Sequence, residues 1–397
     1  MCIIRAVAAS GQDTQNMNNI NKSIKKIKEQ GGKVIGCFPL YPPLELFHCL
    51  GIMPVTLWDI KESIRKVKKS DQHLQAYACS VARRLMEFLL AEGSKELDGL
   101  FMYNACDTLR NLPEIITCGL AETGRALPVF KMHVPMVPRE QTQARDYLRA
   151  RIETLIRELE KIYQVTFSPE KFRQSVALYR EIRKLCKELE KLVADGRMSY
   201  GEFSGIIRQG WSAPPEQQLL ALQKILQQKR PSARRDLPGK ARGRVVVSGI
   251  LPPPASIIQA LEKAGLTVVG NDIASQTRAL CYTPDAADDP ADYYADFYDN
   301  HYPCTTLLYT ADRRVTAIKE LVLAAGAQGV VFIGEKFCEN EFFEFPHLTR
   351  IFKEMGVPTL FLEVSIDDDE HAGAYITRIE TFAEMLHSAN QGGCHDK

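Results

Sequence analysis

Apolar positions along the chain follow two patterns, short unbroken runs and longer stretches at helical spacing, and their order repeats. Near the amino end, Lys33–Gly36 reads as a short strand, Pro39–Pro43 as a rigid turn, Leu44–Leu50 as a helix stopped by Gly51, and Met53–Leu57 as a second strand. The carboxyl third has the same layout. Arg244–Ser248 is strand, Leu251–Pro254 turn, Ala255–Ala264 helix, Gly265 its stop, and Leu266–Val269 strand. The segments that follow also correspond. Leu97–Tyr103 is an apolar run reaching Cys106, then a helical stretch, then Pro128–Met132; Gln328–Ile333 reaches Cys338, then a helix, then Pro358–Glu363. Apolar strands alternating with helices, without hairpin signals, predict an α/β fold: two Rossmann-like parallel-sheet domains related by an internal repeat.

Between the two copies, Gln141–Lys191 carries apolar residues such as Leu148, Ile152, Leu155, Leu159, Phe172, Val176 and Leu189 at helical spacing, with Arg, Lys and Glu on the other faces. This predicts long amphipathic helices. Gln228–Gly243, QKRPSARRDLPGKARG, is basic and broken by Pro and Gly, which reads as an exposed linker, with a phosphate-binding loop as the lesser reading. The expected domains are 1–140 (α/β), 141–227 (helical), 228–243 (linker) and 244–397 (α/β). A length of 397 residues suits two or three domains at one per ~100–200 residues.

Composition excludes several classes. With 45% hydrophobic and 25% charged residues the chain is an ordinary globular protein. Its formal net charge of +1 provides no general attraction to nucleic acid. No apolar run reaches the roughly 18 residues of a membrane span, and the amino terminus lacks the order of an export signal. A cytoplasmic protein with neither a membrane nor a nucleic-acid partner is expected. The templates GxGxxG, GxxxxGK[ST], GxSxG and HExxH are all absent, so the chain is not expected to hydrolyse a nucleoside triphosphate itself. The acidic, aromatic stretch Asp285–Asp299 reads as a solvated loop and helix.

Eleven cysteines are many for such a chain, but their spacing fits neither a zinc ribbon nor a disulfide framework. Cys106 and Cys338 follow equivalent strands of the two copies, at the carboxyl strand ends where ligands of open parallel sheets bind. Either alone reads more readily as an inert small hydrophobe; the paired placement raises the shared-cleft reading to equal weight. Cys79 stands near the start of an apolar helix running to about Leu90, where the backbone dipole favours a thiolate, either as metal ligand or as reactive thiol. Cys37 also ends a strand. Cys49, Cys118 and Cys186 fall on helical patterns and read as structural, and Cys281 and Cys304 stay open. Spacing alone does not choose ligands among them.

Several segments together carry a family likeness: Gly36–Glu45 (GCFPLYPPLE) leading into Gly51–Trp58 (GIMPVTLW), Ala76–Ser80 (AYACS), Cys106–Leu109 (CDTL), Lys336–Cys338 (KFC), Gly356–Leu360 (GVPTL) and Thr377–Leu386 (TRIETFAEML). In order and spacing the chain resembles the D-component family of anaerobic (R)-2-hydroxyacyl-CoA dehydratases and ATP-dependent benzoyl-CoA reductases. That resemblance implies that Cys79, Cys106 and Cys338 each give a thiolate to one [4Fe-4S] cluster, leaving one iron open. It also implies a related second subunit, a separate ATP-dependent iron-sulfur activator that injects one low-potential electron, and an acyl-CoA thioester substrate reduced to a ketyl radical anion. Dehydratases of this kind tend to carry DDLAQE[ST]R where this chain has Asn271–Arg278 (NDIASQTR), so Gln276 stands in place of an acid. The likeness favours a dehydratase beta-type subunit, a hydro-lyase, over a reductase subunit or a non-catalytic electron-transfer subunit.

Overall fold

The computed structural model describes residues 20–62, 64, 66–91, 95–137, 141–229, 243–285, 288–307, 311–365 and 372–392. The first lobe runs α1 (Ile20–Glu29), β1 (Lys33–Cys37), α2 (Leu44–Cys49), β2 (Ile52–Thr56), α3 (Ser80–Leu90), β3 (Gly99–Tyr103), α4 (Asp107–Glu122) and β4 (Val129–Met132). Four helices follow: α5 (Thr142–Tyr163), α6 (Pro169–Ala194), α7 (Tyr200–Gly210) and α8 (Pro215–Lys229). The second lobe comprises β5 (Gly243–Gly249), α9 (Ala255–Lys263), β6 (Leu266–Ile273), α10 (Pro290–Asn300), α11 (Ala311–Ala324), β7 (Gly329–Glu335), α12 (Glu339–Glu354), β8 (Thr359–Val364) and α13 (Ala372–Gly392).

Both sheets are parallel, and their orders are the same, β2-β1-β3-β4 and β6-β5-β7-β8. The repeat read from the pattern is therefore a repeat of topology. In each sheet the chain reverses its direction of winding between the first and third strands of the copy, so the crevice of each lobe opens beyond β1/β3 and β5/β7. Burial follows the period of two. Val245, Val247, Val331 and Ile333 pack into one core, while Val246, Val330 and Phe332 pack into another on the opposite face. A sheet covered on both sides needs such continuous apolar strands. Gly51 and Gly265 take φ of +72° and +79° just past α2 and α9, the left-handed stop that their positions predict.

The predicted helical stretch is two helices. Gln164 turns left-handed at φ +54°, and α6 restarts with Ser168 capping Lys171 N and Pro169 in the first turn. α6 packs against α2 of the first lobe and β6 of the second, so it ties the lobes together. Most of the predicted linker lies outside the described residues, between the end of α8 and β5.

The stretch 285–299 departs from the solvated reading. Its helix α10 packs against α5, and Tyr293, Tyr294, Phe297 and Tyr298 are buried within the first lobe's core. A segment from the carboxyl third thus completes the amino-terminal lobe. The acidic residues that made it look soluble occupy the other face: Asp292 and Asp299 lie near Arg145 on α5, a half-exposed contact of little energetic weight.

Candidate functional site

The seam between the lobes is built from buried polar nodes. On the first lobe, Glu45 of α2 is buried, pairs with Arg183 at 2.6 Å, and accepts hydrogen bonds from Tyr293 (3.1 Å) and Tyr294 (2.9 Å). Its position is structural, because every partner is a side chain of the fold. On the second lobe, Ser248 donates to Asp272 (2.7 Å), which also holds the guanidiniums of Arg278 (2.9 Å) and Arg314; Arg314 reaches Glu344 at 2.7 Å as well. Burial alone would raise the Asp272 carboxyl, but Arg278 and Arg314 outweigh it and hold it down at about 2. Gln276 accepts from Tyr200 at 2.9 Å and donates to Ser204 at 2.8 Å. A neutral amide matches these two hydroxyls without placing a charge in this buried site.

Cys79, Cys106 and Cys338 each occupy the residue immediately before a helix: α3, α4 and α12. All three are half-buried free thiols. Two hydrogen bonds join their loops across the seam. Ser80, next to Cys79, donates to Glu335 at the end of β7, and Asn340, two residues past Cys338, donates to the carbonyl of Ala105, next to Cys106, at 3.1 Å. The thiols lie close enough that Cys79 and Cys106 each influence Cys338 electrostatically. Before Cys338 the backbone is strained: Phe337 sits at φ +65°, a region that bulky residues avoid, while Cys338 N donates to Glu335 O at 2.9 Å. The turn so formed aims the cysteine from the strand end to the helix start.

The helix starts do not make these cysteines reactive thiolates. Burial dominates, pushing the Cys79 thiol up to about 12 and raising Cys106 and Cys338 as well; backbone N–H groups of the first helical turns lower them, but by less. Nearby acids add to the rise, Glu335 at Cys79 and Glu341 at Cys338. Glu341 itself is pushed up to about 7 by burial, although its two oxygens accept from Glu335 N and Ile250 N, both at 2.6 Å. At Cys79 desolvation thus exceeds the helix-end effect in the protein alone. A ligand role survives, since a bound cationic group displaces the protons that the protein alone retains.

Among the described residues, no three His, Cys, Asp or Glu side chains converge closely enough to hold a single metal ion. The donor set fits a polynuclear group better, because each thiolate there takes a different metal atom and the sulfurs stand further apart. Cys37 ends β1 in full burial, with Sγ towards its own strand's Ile35 carbonyl, and does not join the trio. Cys49 and Cys186 are buried, as a structural role requires; Cys118 is exposed on α4, so it packs no core. Cys281 is half-buried in the turn after Arg278, and Cys304 is buried with Arg278 Nη1 at 3.3 Å. Glu335 and Asn340, which with Ser80 lock the three cysteine loops together, carry no periodic or motif signal of their own; only proximity to Cys338 would have singled them out.

The model of the family described as 2-hydroxyglutaryl-CoA dehydratase, D-component, matches residues 39–386. The chain is 26% identical over 373 residues to the (R)-phenyllactyl-CoA dehydratase beta subunit of Clostridium sporogenes, covering 93% of this chain and 96% of that one. It is 23% identical over 392 residues to (R)-2-hydroxyglutaryl-CoA dehydratase, subunit beta, of Acidaminococcus fermentans, covering 96% and 100%. A benzoyl-CoA reductase subunit of Thauera aromatica is 25% identical over 339 residues, 82% of this chain and 84% of that one. No described helix is long and apolar enough to cross a membrane.

Proposed function

The chain belongs to the 2-hydroxyglutaryl-CoA dehydratase D-component family, and on that premise we propose that it is the beta-type iron-sulfur subunit of an (R)-2-hydroxyacyl-CoA dehydratase. Cys79, Cys106 and Cys338 hold one [4Fe-4S] cluster at the seam, with a fourth iron left without a cysteine. When bound, the cluster supplies single low-potential electrons to the chemistry of an acyl-CoA thioester. The observation that carries this reading is the joining of three cysteine-capped helix starts from both lobes by the Ser80–Glu335 and Asn340–Ala105 hydrogen bonds.

The chain's own residues have definable tasks in this role. Ser80 and Asn340 fix the distance between the loops, so that the thiols are arranged before the cofactor arrives. Glu341 spans Glu335 and Ile250 and holds the strand ends of β5 and β7 together beside Cys338. Half-burial of the thiols limits solvent at the site, which shapes its potential.

The wider reading adds a related second subunit and a separate ATP-dependent activator. One electron from the activator converts the thioester to a ketyl radical anion, from which hydroxide departs; the resulting radical loses its β-proton and then returns the electron, giving the neutral enoyl thioester. The lack of a phosphate loop in this chain agrees with ATP hydrolysis on another protein. The second reading, a benzoyl-CoA reductase subunit, is favoured by the similarity to the Thauera aromatica protein. Anaerobic turnover of the assembled complex with activator, ATP and a measured amount of reductant separates the two. Dehydration consumes the electron catalytically, whereas formation of dienoyl-CoA with stoichiometric reductant overturns the dehydratase assignment. Iron and acid-labile sulfide content with electron paramagnetic resonance tests the cluster, and a metal-free chain prepared without oxygen from iron-replete cells overturns it.

A further inference from the structure

A cavity of about 110 Å³ lies in the seam between the lobes, away from the cysteine trio. Its wall combines Tyr41 from the turn after β1, Trp58 from just beyond β2, Arg183 from α6, Trp211 from the end of α7, Ser275 from the turn after β6, and Phe297 from α10. None of Cys79, Cys106 and Cys338 lines it. The chain has two tryptophans, and both are on this wall.

Two features of the wall describe an occupant. Ser275 is buried in a π-type turn, Ala274–Arg278, and its Oγ has no hydrogen-bond partner among the described residues, while its backbone N–H is already taken by the Ile250 carbonyl at 3.1 Å. A hydroxyl buried without a partner is unfavourable, and π-type turns occur often at functional sites. Arg183, the charged side chain of the wall, is already balanced by Glu45 at 2.6 Å. An anion entering the cavity would bring a buried charge without a counterpart. Apart from Thr56 and Gln218, the rest of the wall is aromatic and apolar. An apolar cavity of roughly 150 Å³ takes a benzene ring, so this one takes about five or six non-hydrogen atoms.

We propose that this cavity is a binding site for a small, uncharged, branched or cyclic apolar group with one polar atom that hydrogen-bonds Ser275 Oγ. Because its wall is drawn from both lobes and from the helical segment, an occupant joins all three. The inference does not depend on the cluster or on the reaction.

The placement of both tryptophans provides the measurement. The full-length chain is titrated with isobutyramide and, separately, with isobutyrate, which has the same shape and a negative charge, while tryptophan emission and melting temperature are recorded. The expected result is a saturable emission change and a raised melting temperature with the amide, and binding at least about tenfold weaker with the anion. Ser275→Ala should weaken amide binding about three- to tenfold with an unchanged circular dichroism spectrum. A non-saturating drift with the amide, equal binding of both compounds, or unchanged affinity in the Ser275→Ala protein overturns the proposal.

Discussion

The two lobes share strand order but differ in what they place at equivalent points. β1 ends in buried Cys37, whereas β5 ends in Gly249, where a side-chain carbon would collide with the Ile333 carbonyl oxygen. The first lobe holds one buried carboxylate against one guanidinium, Glu45 with Arg183; the second holds Asp272 against two. The first lobe contributes two of the candidate ligands and borrows α10 for its core, while the second contributes one and surrounds it with Glu335 and Glu341. The duplicated topology therefore supplies only a frame. Chemistry resides in the connections, which differ freely because the sheet's hydrogen bonds do not depend on them.

The sharpest test of this asymmetry is ligand exchange. Cys106→Ser and Cys338→Ser, one in each lobe, should both lose most cluster iron and all turnover of the reconstituted complex, while Cys37→Ser keeps its iron; equal iron in the first two proteins and the parent would break the assignment. A smaller effect separates the ion nodes. Asp272→Asn leaves Arg278 without its carboxylate and Arg314 with Glu344 alone, whereas Glu45→Gln disturbs only Arg183, so denaturant unfolding should show losses at the upper and lower ends, respectively, of about 3–5 kcal/mol. A reversed order would show that the second lobe's node is less buried in energetic terms than its geometry indicates.

Each lobe also places one bulky residue in left-handed backbone after a strand, Tyr41 at φ +48° and Phe337 at φ +65°. Tyr41 is buried and Phe337 is half-exposed, so Tyr41→Gly should cost about 3 kcal/mol and Phe337→Gly no more than about 1, because relief of strain offsets the lost contact. A pH-dependent effect concerns His301, which packs between Tyr41 and Phe297 and which burial pushes down to about 3. A depressed histidine contributes stability that is fully present above its unfolded value near 6.5 and is lost as pH falls towards 3. Unfolding at pH 5 should therefore show a loss of about 2 kcal/mol relative to neutral pH, and His301→Phe should remove that component of the slope.

Much of the architecture was legible because it rests on local rules. Apolar runs bounded by Pro and Gly marked all eight strands, with every end within two residues except the close of β6, and Gly51 and Gly265 ended their helices as glycine does. The position of Cys79 before α3 was legible for the same reason. The burial of Tyr293 and Tyr294 was not, since acidic neighbours on one helix face masked an aromatic face that finds its partner more than a hundred residues earlier in Glu45 and α5. The thiols' protonation was also beyond sequence, because a helix start is a local feature and desolvation is a collective one.

From residue order alone follow the alternation of strands and helices, the duplication, the absence of a phosphate loop, and a cysteine after each of two corresponding strands. These depend on neighbours a few positions apart, for which side-chain period and turn chemistry suffice. Which cysteines meet, which carboxylates carry charge, and where a cavity remains depend on how the two sheets face one another. That facing is decided by long-range packing of α6 and α10 and by burial of ions, whose energies exist only once distant segments have excluded water together.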